Sequence, residues 1–276
     1  MLGLQPGRVC GGWLFFDCNI CGGSNAVRLA KLGREGAPCR RCGATVRHRA
    51  LAHLLTRHIF GRDDVRLPDV LSHKEWHGVG MSDKDGLAKA LARPFQYTNT
   101  FYHQEPRLDI TNIPEAWEGT LDFVISSDVL EHVAPPVSRA FVNVRRLLRP
   151  LGVFVLTVPW VPEGETLEHF PELHDYQLEN AGTPAAVLRN RTRDGRRQEF
   201  RNLVFHGGDG ATLEMRLFSR AGLLRELEQA GFVEITFHDQ PVLASGIHWA
   251  EPWSLPITAL ASDDGRPIEP QPRPLA

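Results

Sequence analysis

No stretch of this chain is apolar over anything like the roughly 20 residues needed to cross a bilayer, so a membrane partner is not expected. The first residues, MLGLQPGRVCGG, lack the charged start, apolar centre and small-residue cleavage site of a secretory leader, and the expected location is cytoplasmic. Net charge is also scarce, at -2 over 276 residues, which excludes a strongly basic or acidic chain as a whole. Cysteine is the most informative scarcity. There are five, and four of them stand in two CxxC pairs.

Those pairs are Cys18-Asn-Ile-Cys21 and Cys39-Arg-Arg-Cys42, 17 residues apart, within the spacing of a four-cysteine zinc site. Each pair lets two thiolates reach one tetrahedral ion, and Gly22, Gly23 and Gly43 just beyond them suit tight turns. Disulfide pairing is the competing reading, disfavoured by the missing export signal. Four thiolates leave no position for water, so an ion there is expected to be structural. Cys10 is left over as a small buried or surface thiol. Residues 1–66 hold eleven Lys or Arg against four Asp or Glu, a local charge of +7 that leaves -9 for the rest. Such a module can face a phosphate-bearing partner or dock on the acidic remainder. Residues 47–66 follow with a helical stripe of Leu51, Leu54, Leu55, His58 and Ile59, read as a linking helix. His48, His53 and His58 are taken as surface or packing residues, because the cysteines already complete a site.

Residues 121–160 carry the clearest pattern. Asp122-Phe-Val-Ile is a short β-branched and aromatic run that reads as a buried strand. Ala140, Phe141, Val144, Leu147 and Leu148 then share one face of a helix, which Pro150 and Gly152 stop. Val153 to Val158 is a second, nearly unbroken apolar strand, as in a parallel sheet covered on both faces. Strand, helix and strand within about 40 residues form a right-handed βαβ unit.

The run DFVISSDVLEHV, the helix ending RRLLRPLG and the strand closing on VPW resemble the fourth to fifth strands of class I S-adenosylmethionine (SAM) methyltransferases, in particular the type 11 group. Leu151 takes the place of the first Gly in that group's turn. The resemblance implies an α/β fold: a Rossmann-like class I methyltransferase sheet, here with an N-terminal zinc-ribbon-like module and an inserted hairpin. It implies a module at 1–46, the helix at 47–66, a methyltransferase domain at 67–260 with a substrate-covering insertion at 160–210, and a disordered tail at 261–276. Gly78, Gly80 and Ser82 then fall where the first strand turns into the first helix and the backbone approaches the methionine part of the cofactor. Trp76 stands where the family has an acid. Residues 96–103 read as the second strand, at whose end the family has a ribose-binding carboxylate; here Asn99 is the candidate, through its amide oxygen. Asp109 and Ile110 take the adenine-facing roles, although Asp109 can equally cap a turn. Only 42 residues separate Gly80 from Asp122, so the second crossover helix is expected to shrink to a loop. Ser127 is placed against the methionine moiety. His132 lies one turn further on as the candidate base, with packing or a loop hydrogen bond as the alternative.

Beyond residue 160, Arg193-Asp194-Gly195 between two short strands signals a hairpin over the cofactor mouth. The His206 to Gly210 run reads as a tight turn, since no Lys-Ser/Thr follows as in a phosphate loop. Ser219 caps a helix to Ala230, and Phe232 to Phe237 is a further strand. The segment around Trp249 and Trp253 closes the pocket or packs in the core. Three functions follow in order: SAM-dependent methyl transfer to a small-molecule or sugar-containing acceptor; methylation of RNA using the basic module; and a degenerate methyltransferase fold serving as a zinc-bearing scaffold.

Overall fold

The computed structural model describes residues 6–206 and 212–263. It begins with a small antiparallel sheet of β1 (Val9–Cys10), β2 (Trp13–Asp17) and β3 (Ser24–Arg28). The two cysteine pairs follow β2 and precede α1 (Val46–Phe60). Thr45 starts that helix with a reciprocal cap: the His48 Nδ1 accepts from the Thr45 N–H at 3.2 Å, and the Thr45 side chain meets the helix backbone in return. Gly61, at φ 66°, ends it in the left-handed region.

The central sheet begins with β4 (His73–Met81), α2 (Asp85–Ala92) and β5 (Phe95–Thr100), and continues through β6 (Leu121–Ser127), α3 (Ser138–Leu147) and β7 (Leu148–Thr157). No α-helix separates β5 from β6, only a single 3-10 turn at Glu115–Trp117, as the short spacing requires. Next come β8 (Trp160–Val161) and β9 (Leu167–Glu168), then β10 (Asp175–Glu179), β11 (Val187–Arg191) and β12 (Arg197–Phe200). The last elements are β13 (Arg216–Ser219), α4 (Arg220–Gln229), β14 (Phe232–Phe237) and β15 (Ile257–Ala261).

The six-stranded sheet has the order β14-β15-β7-β6-β4-β5, with β5, β4, β6 and β7 parallel and β15 running against both its neighbours. Period-two alternation divides its side chains between two cores. Val124, Phe154 and Leu156 pack with Phe141, Val144 and Leu147 of α3 and Leu223 and Leu227 of α4. Phe123, Ile125, Val153 and Val155 face the other way, against Leu51, Leu54, Leu55 and Ile59 of α1 and Leu87 and Leu91 of α2. Both faces are covered, which is why these strands are apolar throughout. Fully burying one such side chain contributes about 1.5–3 kcal/mol.

The helix read as a link is thus a layer of the main fold, and Cys18, Ile20 and Cys39 belong to the same core. Gly78 and Gly80 also take a different place from the one expected. They lie inside β4, and the turn begins only at Ser82. A Cβ at Gly78 would run into the Phe123 ring, and one at Gly80 into the Tyr97 hydroxyl and the Asp83 carboxylate. Glycine is required there for strand packing. The second strand stops at Thr100, short of the expected 103, because Phe101 turns to bridge Arg107. The expected tail at 261–276 overlaps β15 at Ala261, and Ser262 N–H donates to the Gly231 carbonyl at 3.2 Å; 264–276 lie outside the described residues. So do the glycines of the run after His206. Trp249 and Leu255 pack on the core, whereas Trp253 is exposed.

Candidate functional site

Ligands of open α/β sheets bind beyond the carboxyl ends of the parallel strands. A cavity of about 1030 Å³ opens there. From the sheet it receives Met81, Ser82 and Asp83 after β4, Thr100 and the segment leaving β5 through Gln104, and Ser127 and Asp128 after β6. Asp109, Ile110 and His132 join this lining. The ends of β4 and β6 hold Ser82 at φ 59° and Asp128 at φ 56°, left-handed conformations that side chains rarely adopt. Each is pinned by a neighbouring strand: Ser82 N–H donates to the Thr100 carbonyl at 2.7 Å, and Asp128 N–H to that of Thr157 at 2.9 Å.

Five of the expected binding and catalytic residues therefore meet: Ser82, Asp109, Ile110, Ser127 and His132. Asp109 does cap a turn, its Oδ1 accepting from the Thr111 N–H at 2.9 Å and the Thr111 hydroxyl at 2.7 Å. The Ile110 carbonyl is held by the Asn143 amide at 2.8 Å. Gly78, Gly80 and Asn99 do not line the cavity. The Asn99 amide is spent on the turn, its Oδ1 accepting from the Asp83 N–H at 2.8 Å and its Nδ2 donating to the Asp83 carbonyl at 2.9 Å. Its oxygen therefore braces the Ser82–Asp83 loop through one of its two lone pairs.

Several lining residues gave no signal in the sequence. Asp83 is buried, its Oδ2 accepts from the Tyr97 hydroxyl, and its Oδ1 has no hydrogen-bond partner. Burial raises its pKa to about 7. Arg34 and Arg47, from the N-terminal module and the first turn of α1, both clamp Asp128, and Arg47 also donates to the Ser127 hydroxyl. Glu35 braces the two guanidiniums at 2.8 and 2.5 Å. His48, beside them, is buried and held at a pKa of about 4 by burial and then by Arg47. Thr45 caps α1 and so orients the first turn that carries Arg47 and His48.

At the far end of the cavity, His132 Nδ1 lies 3.0 Å from the Leu213 carbonyl. A carbonyl only accepts, so Nδ1 carries the proton and Nε2 keeps a lone pair. Burial first, with the neighbouring His206 also opposing protonation, lowers the His132 pKa. Beneath it Glu131 is fully buried, and burial followed by the nearby Asp128 raises its pKa well above the usual carboxylate range. The inserted three-stranded sheet β10-β11-β12 supplies Tyr176 and Leu178 to the cavity from its edge strand. Its β11–β12 hairpin turns at Gly195, φ 88°, as expected.

The four paired cysteines converge at the other side of α1, with all sulfurs within 4.8 Å of one another. Cys18–Cys42 and Cys21–Cys39 stand 3.7 and 3.6 Å apart. Bonds of about 2.3 Å to a tetrahedral ion imply an edge of about 3.8 Å, whereas a disulfide needs about 2.0 Å. The set can hold a tetrahedral metal ion. Knuckle turns close each pair, Gly22 N–H to the Cys18 carbonyl at 2.7 Å and Gly43 N–H to that of Cys39 at 2.8 Å.

A family model described as a methyltransferase domain matches residues 87–156, a span that contains Asp109, Ser127 and His132 but not β4. No curated protein matches the chain. Among solved structures, the CurJ carbon methyltransferase is 14% identical with a TM-score of 0.40, over 70% of this chain and 50% of that one. The citrinin polyketide synthase CMeT domain is 12% identical with a TM-score of 0.43, over 82% and 54%. The chain thus spans about half the length of these two. The Burkholderia thailandensis 1,6-didemethyltoxoflavin-N1-methyltransferase, solved with that compound and S-adenosylhomocysteine, is 16% identical with a TM-score of 0.40, over 94% and 100%.

Proposed function

We propose that the chain is a SAM-dependent methyltransferase acting on a small-molecule or sugar-containing acceptor, with a structural zinc ion in the four-cysteine module at 1–46. The observation that carries this reading is the convergence of the Ser82–Asp83 loop, Asp109–Ile110 and the Ser127–His132 segment on one cavity at the carboxyl edge of the parallel sheet. The buried, unpartnered Asp83 Oδ1 supports it, because an orphaned acceptor of this kind awaits a donor such as an ammonium or hydroxyl.

In this reading Asp83, Ser82 and Ser127 would hold the methionine end of SAM, and Asp109 and Ile110 its adenine. His103 and Gln104 line the cavity where the ribose would lie, in place of Asn99. When bound, SAM supplies an activated methyl group, so the protein's task is to orient an acceptor and exclude water. Arg34 and Arg47 pair with Asp128 and brace the β6 edge. His132 presents the Nε2 lone pair with which the chain eases loss of the acceptor's proton. Tyr176 and Leu178 from the insertion at 160–210 shape the acceptor side.

The RNA reading rests on the +7 charge of residues 1–66, of which Arg34 and Arg47 are turned onto Asp128 and Arg49 is buried. No helix among the described residues is long and apolar enough to cross a membrane. Calorimetric titration of the folded chain with SAM and S-adenosylhomocysteine tests the proposal. Micromolar binding is expected, weakened about tenfold, some 1.4 kcal/mol, in Asp109→Ala. Absence of heat from either ligand would leave the scaffold reading.

A further inference from the structure

The floor of the acceptor end holds a second set of donor atoms, separate from the cysteines. One carboxylate oxygen of Glu131, one ring nitrogen of His132 and one of His206 all lie within 4.8 Å of one another. The Glu131 carboxylate has no exposed surface and neither of its oxygens has a hydrogen-bond partner. Its nearest candidate cations do not satisfy it, since Arg34 and Arg47 are bonded to Asp128, Glu35 and Ser127. A buried carboxyl group beside two imidazoles with no hydrogen-bond partner on either oxygen is a departure from the usual pairing of buried polar groups.

The neighbours of the two imidazoles point the same way. Metal-bound histidines characteristically donate their other ring N–H to a carbonyl or carboxylate, which fixes the tautomer. His132 gives Nδ1–H to the Leu213 carbonyl at 3.0 Å and turns Nε2 toward Glu131, 3.8 Å away. His206 gives Nε2–H to Glu214 at 2.7 Å, which leaves Nδ1 as its lone pair. Glu214 is itself fixed from the other side by His169 at 2.8 Å. The rings of His132 and His206 meet edge to face with centroids 5.0 Å apart. Around an ion with bonds of about 2.1 Å the donors would sit about 3.4 Å apart, so the three must close by roughly an ångström.

We propose that Glu131, His132 and His206 form a site for a divalent first-row transition-metal cation on the cavity floor. Glu214 and the Leu213 carbonyl act as positioning groups for the two histidines. Three protein donors leave coordination positions open, and His132 and His206 both line the cavity, so the open side faces it. An oxygen donor of the acceptor would occupy those positions; this last role rests on the methyltransferase reading, whereas the cation site does not. The lone pair of His132 is then used to hold the ion, and an acceptor hydroxyl bound to that ion would lose its proton more readily.

Cobalt titration of the full chain, with zinc already in the cysteine module, tests the site without any methyl donor. One equivalent of Co²⁺ is expected with d–d absorption and no thiolate-to-metal charge transfer. Glu131→Gln, which keeps the side-chain volume, and His206→Ala, at a half-buried position, should each abolish that equivalent with unchanged near-ultraviolet circular dichroism. Glu214→Gln should weaken it about 10- to 100-fold. Uptake of cobalt only with the thiolate signature, or a non-thiolate equivalent that survives in folded Glu131→Gln, would overturn the proposal. Because no SAM is present, the result is independent of the cofactor titration.

Discussion

The N-terminal module and the inserted sheet both reach the same cavity, yet they are attached in opposite ways. The module shares a core with the central sheet: Cys18, Ile20 and Cys39 are buried alongside Phe123, Val153 and Val155. Its arginines cross to Asp128 and Ser127 through partly buried contacts. The insertion has a small core of its own, Phe170, Leu188, Leu213 and Met215, and its ion pairs, Arg189 with Glu179 and Glu199 and Arg196 with Glu172 and Asp194, are largely exposed. The difference teaches that the module is built into the core of the central fold, whereas the inserted strands pack on a cluster of their own beside it.

The comparison breaks most directly at the cysteines. On the proposed zinc site, Cys39→Ser should abolish metal retention and, because the sulfur sits in the shared core, cost several kcal/mol of stability in the whole domain. Metal content and thermal melting by circular dichroism check this; a fall in zinc with an unchanged melting temperature would detach the module from the sheet.

A smaller effect is expected from the pH dependence of stability. His48 titrates near 6.5 when unfolded and near 4 in the fold, so its contribution is present above about pH 6.5 and is lost as pH falls through about 4. His48→Gln should therefore gain stability relative to wild type as pH is lowered from 7 to 4. Taking the difference between the two proteins removes the opposing contribution of Asp83, whose raised pKa gives stability below about 4 that is lost as pH rises through about 7. A constant difference in denaturant midpoint across that range would show that His48 is not held neutral.

The smallest effect should come from the insertion. Arg196→Ala removes exposed pairs and should leave the urea midpoint nearly unchanged. If that midpoint shifts clearly, the insertion is tied to the sheet as firmly as the module.

Much of this architecture was legible in the sequence because it rests on local periodicity and spacing. The apolar run around Phe123, the stripe through Phe141 and Val144, and the Arg193-Asp194-Gly195 turn appear where they were read, whereas β7 starts at Leu148, which was read as helical, and runs through Pro150 and Gly152. The paired cysteines likewise converge. The misplacements have one cause. Gly78 and Gly80 looked like turn glycines, but their need arises from Phe123, Tyr97 and Asp83 across the sheet. Asn99 was read as a cavity residue, but its amide is turned onto the Asp83 backbone and it does not line the cavity. β15 was not expected as a strand, since only its pairing with β7 and β14 distinguishes it from a terminal apolar run.

The sequence by itself determined the parallel βαβ centre, the knuckle spacing and the order of the segments that line the cavity, because hydrophobic period and turn chemistry act between near neighbours. Only the tertiary structure decided which side chains share that cavity. Arg34 and Asp128 are 94 residues apart and His132 and Leu213 are 81 apart, and nothing in either local stretch encodes the meeting. Such pairs form only after two covered sheet faces have packed, when burial leaves each charge and each lone pair with few partners to choose from.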